Sequence, residues 1–174
     1  MDWKILFVLI AFMVYWMYNT IVLSIFSVPH SLSMTFYQFK ERKEWQKLLF
    51  PVMMILIALL LMPSWLEISE GSDLQFLSFL TCGCLMFVGF SPAFDSSDLE
   101  NNVHMVNAIL ATIFSLVWVV FVAKLWYIII VWLLIILIIA LFTKTLKNSY
   151  VYWIENAALM STFTSILFYY IKNI

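Results

Sequence analysis

The stretch VHMVNAILATIFSLVWVVFVAKLWYIIIVWLLIILIIALFT, residues 103–143, runs forty-one residues with one internal cation, Lys124. A helix needs about 20 apolar residues to cross about 30 Å of hydrocarbon. One span cannot absorb twice that length by tilting. The stretch therefore reads as two helices, 103–123 and 126–143, joined by a tight turn at Lys124–Leu125–Trp126. Lys124 snorkels to the headgroups there and Trp126 sits at the interface.

The same criterion, carried outward, gives spans at about 5–27, 48–66, 74–92 and 151–171. The blocks are continuous and lack the alternation of an outer-membrane barrel. A helix also satisfies its own backbone groups where water is absent. The expected fold is all-α: a polytopic membrane protein, one integral domain over residues 1–174, a bundle of six transmembrane helices. Pro29 and Pro92 fall at span ends, and Pro51 falls in a first helical turn, where its missing N–H does no harm. The N-terminal stretch is too long for a signal-peptide core and reads as the first span.

Composition agrees. The chain is 65% hydrophobic and 11% charged, against about 45–50% and about 25% in soluble domains. A globule of 174 residues cannot hide that surplus in one core, so it faces lipid. Net charge is −1, which excludes the basic footprint of a nucleic-acid binder. Gly71, Gly83 and Gly89 are the only glycines and form no phosphate-cradling loop. Cys82 and Cys84 are two residues apart and point to nearly opposite helix faces. They read as packed small side chains, and no disulfide framework is available.

The spans place Lys40, Arg42, Lys43, Lys47, Lys144 and Lys147 on one side, and Lys4, Lys124 and Lys172 on the other. The positive-inside rule puts the loops after spans one, three and five in the cytoplasm, with both termini outside an inner or plasma membrane. The longest loop, 28–47, holds FYQFKERKEWQK at 36–47. It reads as a positive-inside anchor that can also lie on an anionic lipid surface.

The same topology gathers His30, Ser31, Ser33, Asp95, Asp98, Glu100, His104 and Glu155 on one face. Glu155 lies just inside the last span, where a carboxylate is costly and should face the bundle interior or headgroup water. It heads a small and polar stripe, Glu155, Ala158, Thr162 and Ser165, at helical spacing. His104, Asn107, Ala108, Ala111 and Ser115 form a second such stripe, suited to close helix packing. Asp95, Asp98 and Glu100 precede His104 and suit a helix N-terminus.

His30, His104, Asp95 and Asp98 also form a candidate metal set, since two imidazoles and a carboxylate can hold zinc with an open position. In its Ser, Asp and His set at one end of a helical bundle, the chain resembles membrane hydrolases of the alkaline-ceramidase and adiponectin-receptor type. That resemblance implies zinc and hydrolysis of a lipid or amide. The chain has two histidines where those enzymes use three, and six spans where they have seven. It also lacks their paired histidines on a late helix.

The favoured expectation is a non-enzymatic binding or transport-type protein for a small solute, an ion or a lipid headgroup. Glu155 is its acceptor, with His104, His30, Asp95 and Asn107 around it. The competing readings are a metal-assisted hydrolase and a non-catalytic assembly subunit. Expected partners are membrane lipids and a small solute or ion, with a homo-oligomer or a membrane partner left open. No cofactor is implied beyond a divalent metal such as zinc in the hydrolase reading.

Overall fold

The computed structural model describes residues 3–91 and 98–172. Among these there is no strand. The described chain forms seven α-helices: α1 Trp3–Phe26, α2 Met34–Arg42, α3 Leu49–Ile68, α4 Phe76–Phe90, α5 Asp98–Phe121, α6 Trp126–Phe142 and α7 Leu146–Lys172. A 3₁₀ turn, Glu44–Leu48, leads into α3. Three segments are long and apolar enough to cross a membrane: Trp3–Phe26, Glu44–Ile68 and Asn102–Phe121. The apolar helices α4 and α6 have 15 and 17 residues, so they rise only about 22 and 25 Å.

The helix ends follow from local chemistry. The turn between α5 and α6 centres on Lys124, whose φ of 57° is left-handed. The Leu125 amide there donates to the Val119 carbonyl. α6 ends in the same way: Lys144 has φ 56° and the Thr145 amide donates to Ala140 O at 3.1 Å. Such ends usually carry glycine, and this chain builds them from lysine. α7 begins at Leu146, before the span expected from 151. Ser149 is non-helical (φ −134°, ψ 26°) and separates the first turn from the rest. The segment 28–47, which the sequence offered as an anchor able to lie on a lipid surface, holds α2 and most of the 3₁₀ turn. α2 buries Thr35, Phe36 and Phe39, and Phe39 stacks edge-on against Phe26 at 4.9 Å.

Contacts between elements fix the helix directions. Lys4 at the start of α1 pairs with Glu67 near the end of α3. Gly89 at the end of α4 lies against Pro51 and Met54 at the start of α3. Ser91 Oγ bonds His104 Nδ1 at 2.8 Å across the α4–α5 connection. Trp118 Nε1 donates to Ser69 Oγ at 2.7 Å, so the far ends of α5 and α3 coincide. Trp132 Nε1 donates to Thr164 Oγ1 at 2.9 Å, setting α6 antiparallel to α7.

α1, α3, α4, α5 and α7 close a ring, and α6 packs on its outside against α7 and α5. All six long helices alternate in direction. The ends of α1 and α4 and the starts of α3, α5 and α7 therefore share one end of the bundle, here termed the near end.

The inward face of α1 carries Val8, Ala11, Tyr15, Tyr18 and Val22 at helical spacing, all buried. Its outward face exposes Leu9, Met13, Trp16 and Met17. α6 buries only Ile128, Ile136 and Ala140. Soluble monomers rarely expose contiguous apolar surface on this scale.

Candidate functional site

The near end is organised by the docking of residues 28–33 onto the start of α7. The break at Ser149 frees backbone groups that a regular helix would use. The Tyr152 amide donates to the His30 carbonyl at 3.0 Å, and Ser149 Oγ donates to the Val28 carbonyl at 3.3 Å. One turn further on, the Leu32 amide donates to Glu155 Oε2 at 2.8 Å.

A second lock joins α1 to α7 below this loop. Tyr15 donates its hydroxyl to Asn156 Oδ1 at 2.6 Å, and Tyr152 donates to Asn19 Oδ1 at 2.8 Å. Each asparagine gives its amide protons to the carbonyl of the tyrosine four residues earlier on its own helix, at 3.0 Å for Asn19 and 2.7 Å for Asn156. The two helices thus exchange identical Tyr–Asn pairs, and every partner is buried. Reciprocity of this kind requires antiparallel helices.

Glu155 stands at the mouth of a cleft that runs into the ring. Leu32, Ser33 and Phe50 line the same end of it. One wall is α5, through Ala108, Ala111, Thr112 and Ser115, and the facing wall is α7, through Ala158, Leu159 and Thr162. Thr81, Leu85 and Val88 of α4 and Met54 and Trp65 of α3 complete it. The two small-residue stripes of α5 and α7 thus face each other across one space. Small side chains on both walls are what leave that space open.

The wall hydroxyls do not make the cleft polar. Thr81 donates to Leu77 O at 2.7 Å, Thr112 to Ala108 O at 2.9 Å, Ser115 to Thr112 O at 2.9 Å and Thr162 to Ala158 O at 2.9 Å. Such back-bonding consumes each proton on its own helix. Trp65 is different. It is 1% exposed, and its Nε1–H has no hydrogen-bond acceptor.

The remaining expected site residues fall elsewhere at the near end. The exposed His30 ring stacks edge-on against Tyr150 at 5.9 Å. His104 bonds Ser91, and Asn107 Nδ2 donates to Val103 O on its own helix at 2.8 Å. Neither His104 nor Asn107 lines the cleft. Ser165, last of the α7 stripe, is fully buried beyond the cleft, with no hydrogen-bond partner for its Oγ. Asp95 lies outside the described residues, as do the side chains of Asp98 and Glu100. Among the described residues no three of His, Cys, Asp and Glu come together as metal ligands.

Sequence reasoning missed the Tyr–Asn lock, although Tyr-x-x-x-Asn occurs at 15–19 and again at 152–156. It also missed Trp65. At the far end, Glu67 receives both Lys4 and the Tyr170 hydroxyl. Comparison with known families, characterised proteins and solved structures gives no match.

Proposed function

We propose that this chain is an integral membrane protein that crosses the bilayer six times and holds a small amphiphilic solute or lipid headgroup in the α3–α4–α5–α7 cleft. Alternating helix directions and the apolar outer surface support six crossings. α4 and α6, which are short for a 30 Å core, match a locally thinned bilayer or connections that lie within the headgroups. The near end faces the cytoplasm of an inner or plasma membrane, because six of the nine cations lie on the loops of that end.

One observation carries the binding reading: a carboxyl group, Glu155, at the mouth of an otherwise mostly apolar cleft. Ligand sites are typically concave and mostly apolar, with a few polar groups that fix orientation. The carboxyl group orients the polar end of the ligand while the cleft takes the apolar part. Small side chains on both walls allow sliding and release, which suits a carrier as well as a receptor.

Native mass spectrometry of the protein purified in mild detergent tests this. The wild type should retain a low-mass species. Ala158→Leu, which fills the cleft, and Glu155→Gln should both lose it. Equal retention by all three would refute the site.

A further inference from the structure

We infer that an anionic phospholipid of the leaflet at the near end binds on the outer face of α3, with its phosphate at Arg42 and Lys43 and its acyl chains along the helix below them.

The surface is built by the connection from α2 to α3. α2 is pinned to the bundle: Phe36 and Phe39 are buried, Phe39 also packs against Tyr18, and the Tyr18 hydroxyl bonds Thr35. The Lys43 amide closes the helix on the Phe39 carbonyl at 2.9 Å. The chain then turns outward, and Glu41 to Trp45 are exposed without a break. Trp45 lies in the 3₁₀ turn Glu44–Leu48. Residues three apart in such a turn stand one above the other, which sets Trp45 over Leu48. From Leu48 an exposed apolar stripe continues down α3 through Val52, Leu56 and Leu59. Those positions fall at i, i+4, i+8 and i+11, one face of the helix.

Length and charge identify the occupant. Leu48 to Leu59 covers about 16 Å of helical rise, half of a hydrocarbon core about 30 Å thick. The stripe therefore matches the acyl layer of one leaflet. A tryptophan at its upper end, 62% exposed, suits the headgroup boundary. Just beyond it stand Lys43 and Arg42. Lys47 pairs with Glu44, whereas no carboxylate pairs with Arg42 or Lys43 among the described residues. A guanidinium and an ammonium at this level match a phosphate. A zwitterionic lipid brings its own cation to that phosphate, and an anionic lipid does not, so the anionic headgroup keeps the attraction. This surface is independent of the cleft, since none of Arg42, Lys43, Trp45, Leu48, Val52 and Leu56 lines it. It rests on α3 crossing the bilayer.

Native mass spectrometry of the full-length protein, titrated in detergent with phosphatidylglycerol and phosphatidylcholine of the same acyl chains, tests this. The wild type should hold phosphatidylglycerol more tightly by about tenfold or more, about fivefold for each cation. Arg42→Gln combined with Lys43→Gln should bring the two lipids level. Both positions are exposed, so the fold should survive the change. Trp45→Ala should weaken both lipids alike. Lys144→Gln combined with Lys147→Gln removes two cations from the same end of the bundle and should keep the preference. Ala158→Leu, which fills the cleft, should keep it too.

Equal retention of the two lipids by the wild type, or a preference that survives the loss of Arg42 and Lys43, would overturn the assignment. So would unchanged retention in Trp45→Ala. A preference lost equally with Lys144 and Lys147 would assign it to the charge of the whole end and overturn this surface. A preference lost in Ala158→Leu would place the lipid in the cleft and overturn it likewise.

Discussion

Glu155 Oε2 and the amide of Leu32 are joined at 2.8 Å across 123 residues of sequence. The bond ties the loop after α1 to the last helix. It also holds a carboxyl group at the cleft mouth. Removing the acceptor with Glu155→Leu strands a partly buried N–H, so stability should fall by about 1–3 kcal/mol. Glu155→Gln keeps an acceptor oxygen and should cost less. Denaturant titration in detergent, with hydrogen exchange at Leu32, checks both. Faster exchange at Leu32 is expected in the leucine variant.

The reciprocal Tyr–Asn lock makes a second prediction. Asn156→Ala leaves the Tyr15 hydroxyl without an acceptor in a buried site, and Tyr15→Phe removes the same bond from the other side. A double-mutant cycle should return a coupling of about 0.6 kcal/mol, and no more than about 1.7, the range found for hydrogen bonds between membrane helices. Zero coupling would mean that α1 and α7 do not meet at this register.

Two glycines should respond in opposite ways. A Cβ on Gly89 would stand 3.2 Å from Met54 Cβ and from the Pro51 carbonyl oxygen. Gly89→Ala should push α3 and α4 apart and destabilise by about 1–3 kcal/mol, as overpacking does. A Cβ on Gly83 would meet nothing within 4 Å, so Gly83→Ala should stabilise by up to about 1 kcal/mol through helix propensity. Paired melting curves decide.

Lys144 holds a left-handed backbone, φ 56°, at the end of α6. Lys144→Gly removes the steric conflict and should raise stability by a few tenths to about 1 kcal/mol. Lys144→Val should lower it, because a β-branched residue is strained there. Thermal unfolding of the two variants measures the sign.

The all-helical character was legible in the sequence because long apolar runs admit few alternatives in lipid. The stops near residues 27, 124 and 144 were legible from where apolar runs meet polar residues. The left-handed geometry at Lys124 and Lys144 was not, since lysine does not advertise it. The stripes headed by Glu155 and His104 were visible as spacing, and spacing alone does not say which faces meet. In the structure Ala108, Ala111 and Ser115 oppose Ala158 and Thr162, whereas His104 turns to Ser91 and Asn107 to its own helix. Short polar side chains take the nearest acceptor, and that choice depends on neighbours distant in sequence. The Glu155–Leu32 bond depends on the break at Ser149 and the path of residues 28–33, neither of which has a periodic signal.

The central claim is that the connections after α1, α4 and α6 share one face of the membrane, so that Glu155, the docked loop and the cleft mouth form one site. Labelling with a membrane-impermeant maleimide tests it most directly, in a background where Cys82 and Cys84 are replaced by alanine. His30→Cys, Asn102→Cys and Asn148→Cys should react from one side of sealed vesicles, and Asp73→Cys and Lys124→Cys from the other. Labelling of positions 30 and 102 from opposite sides would contradict the account.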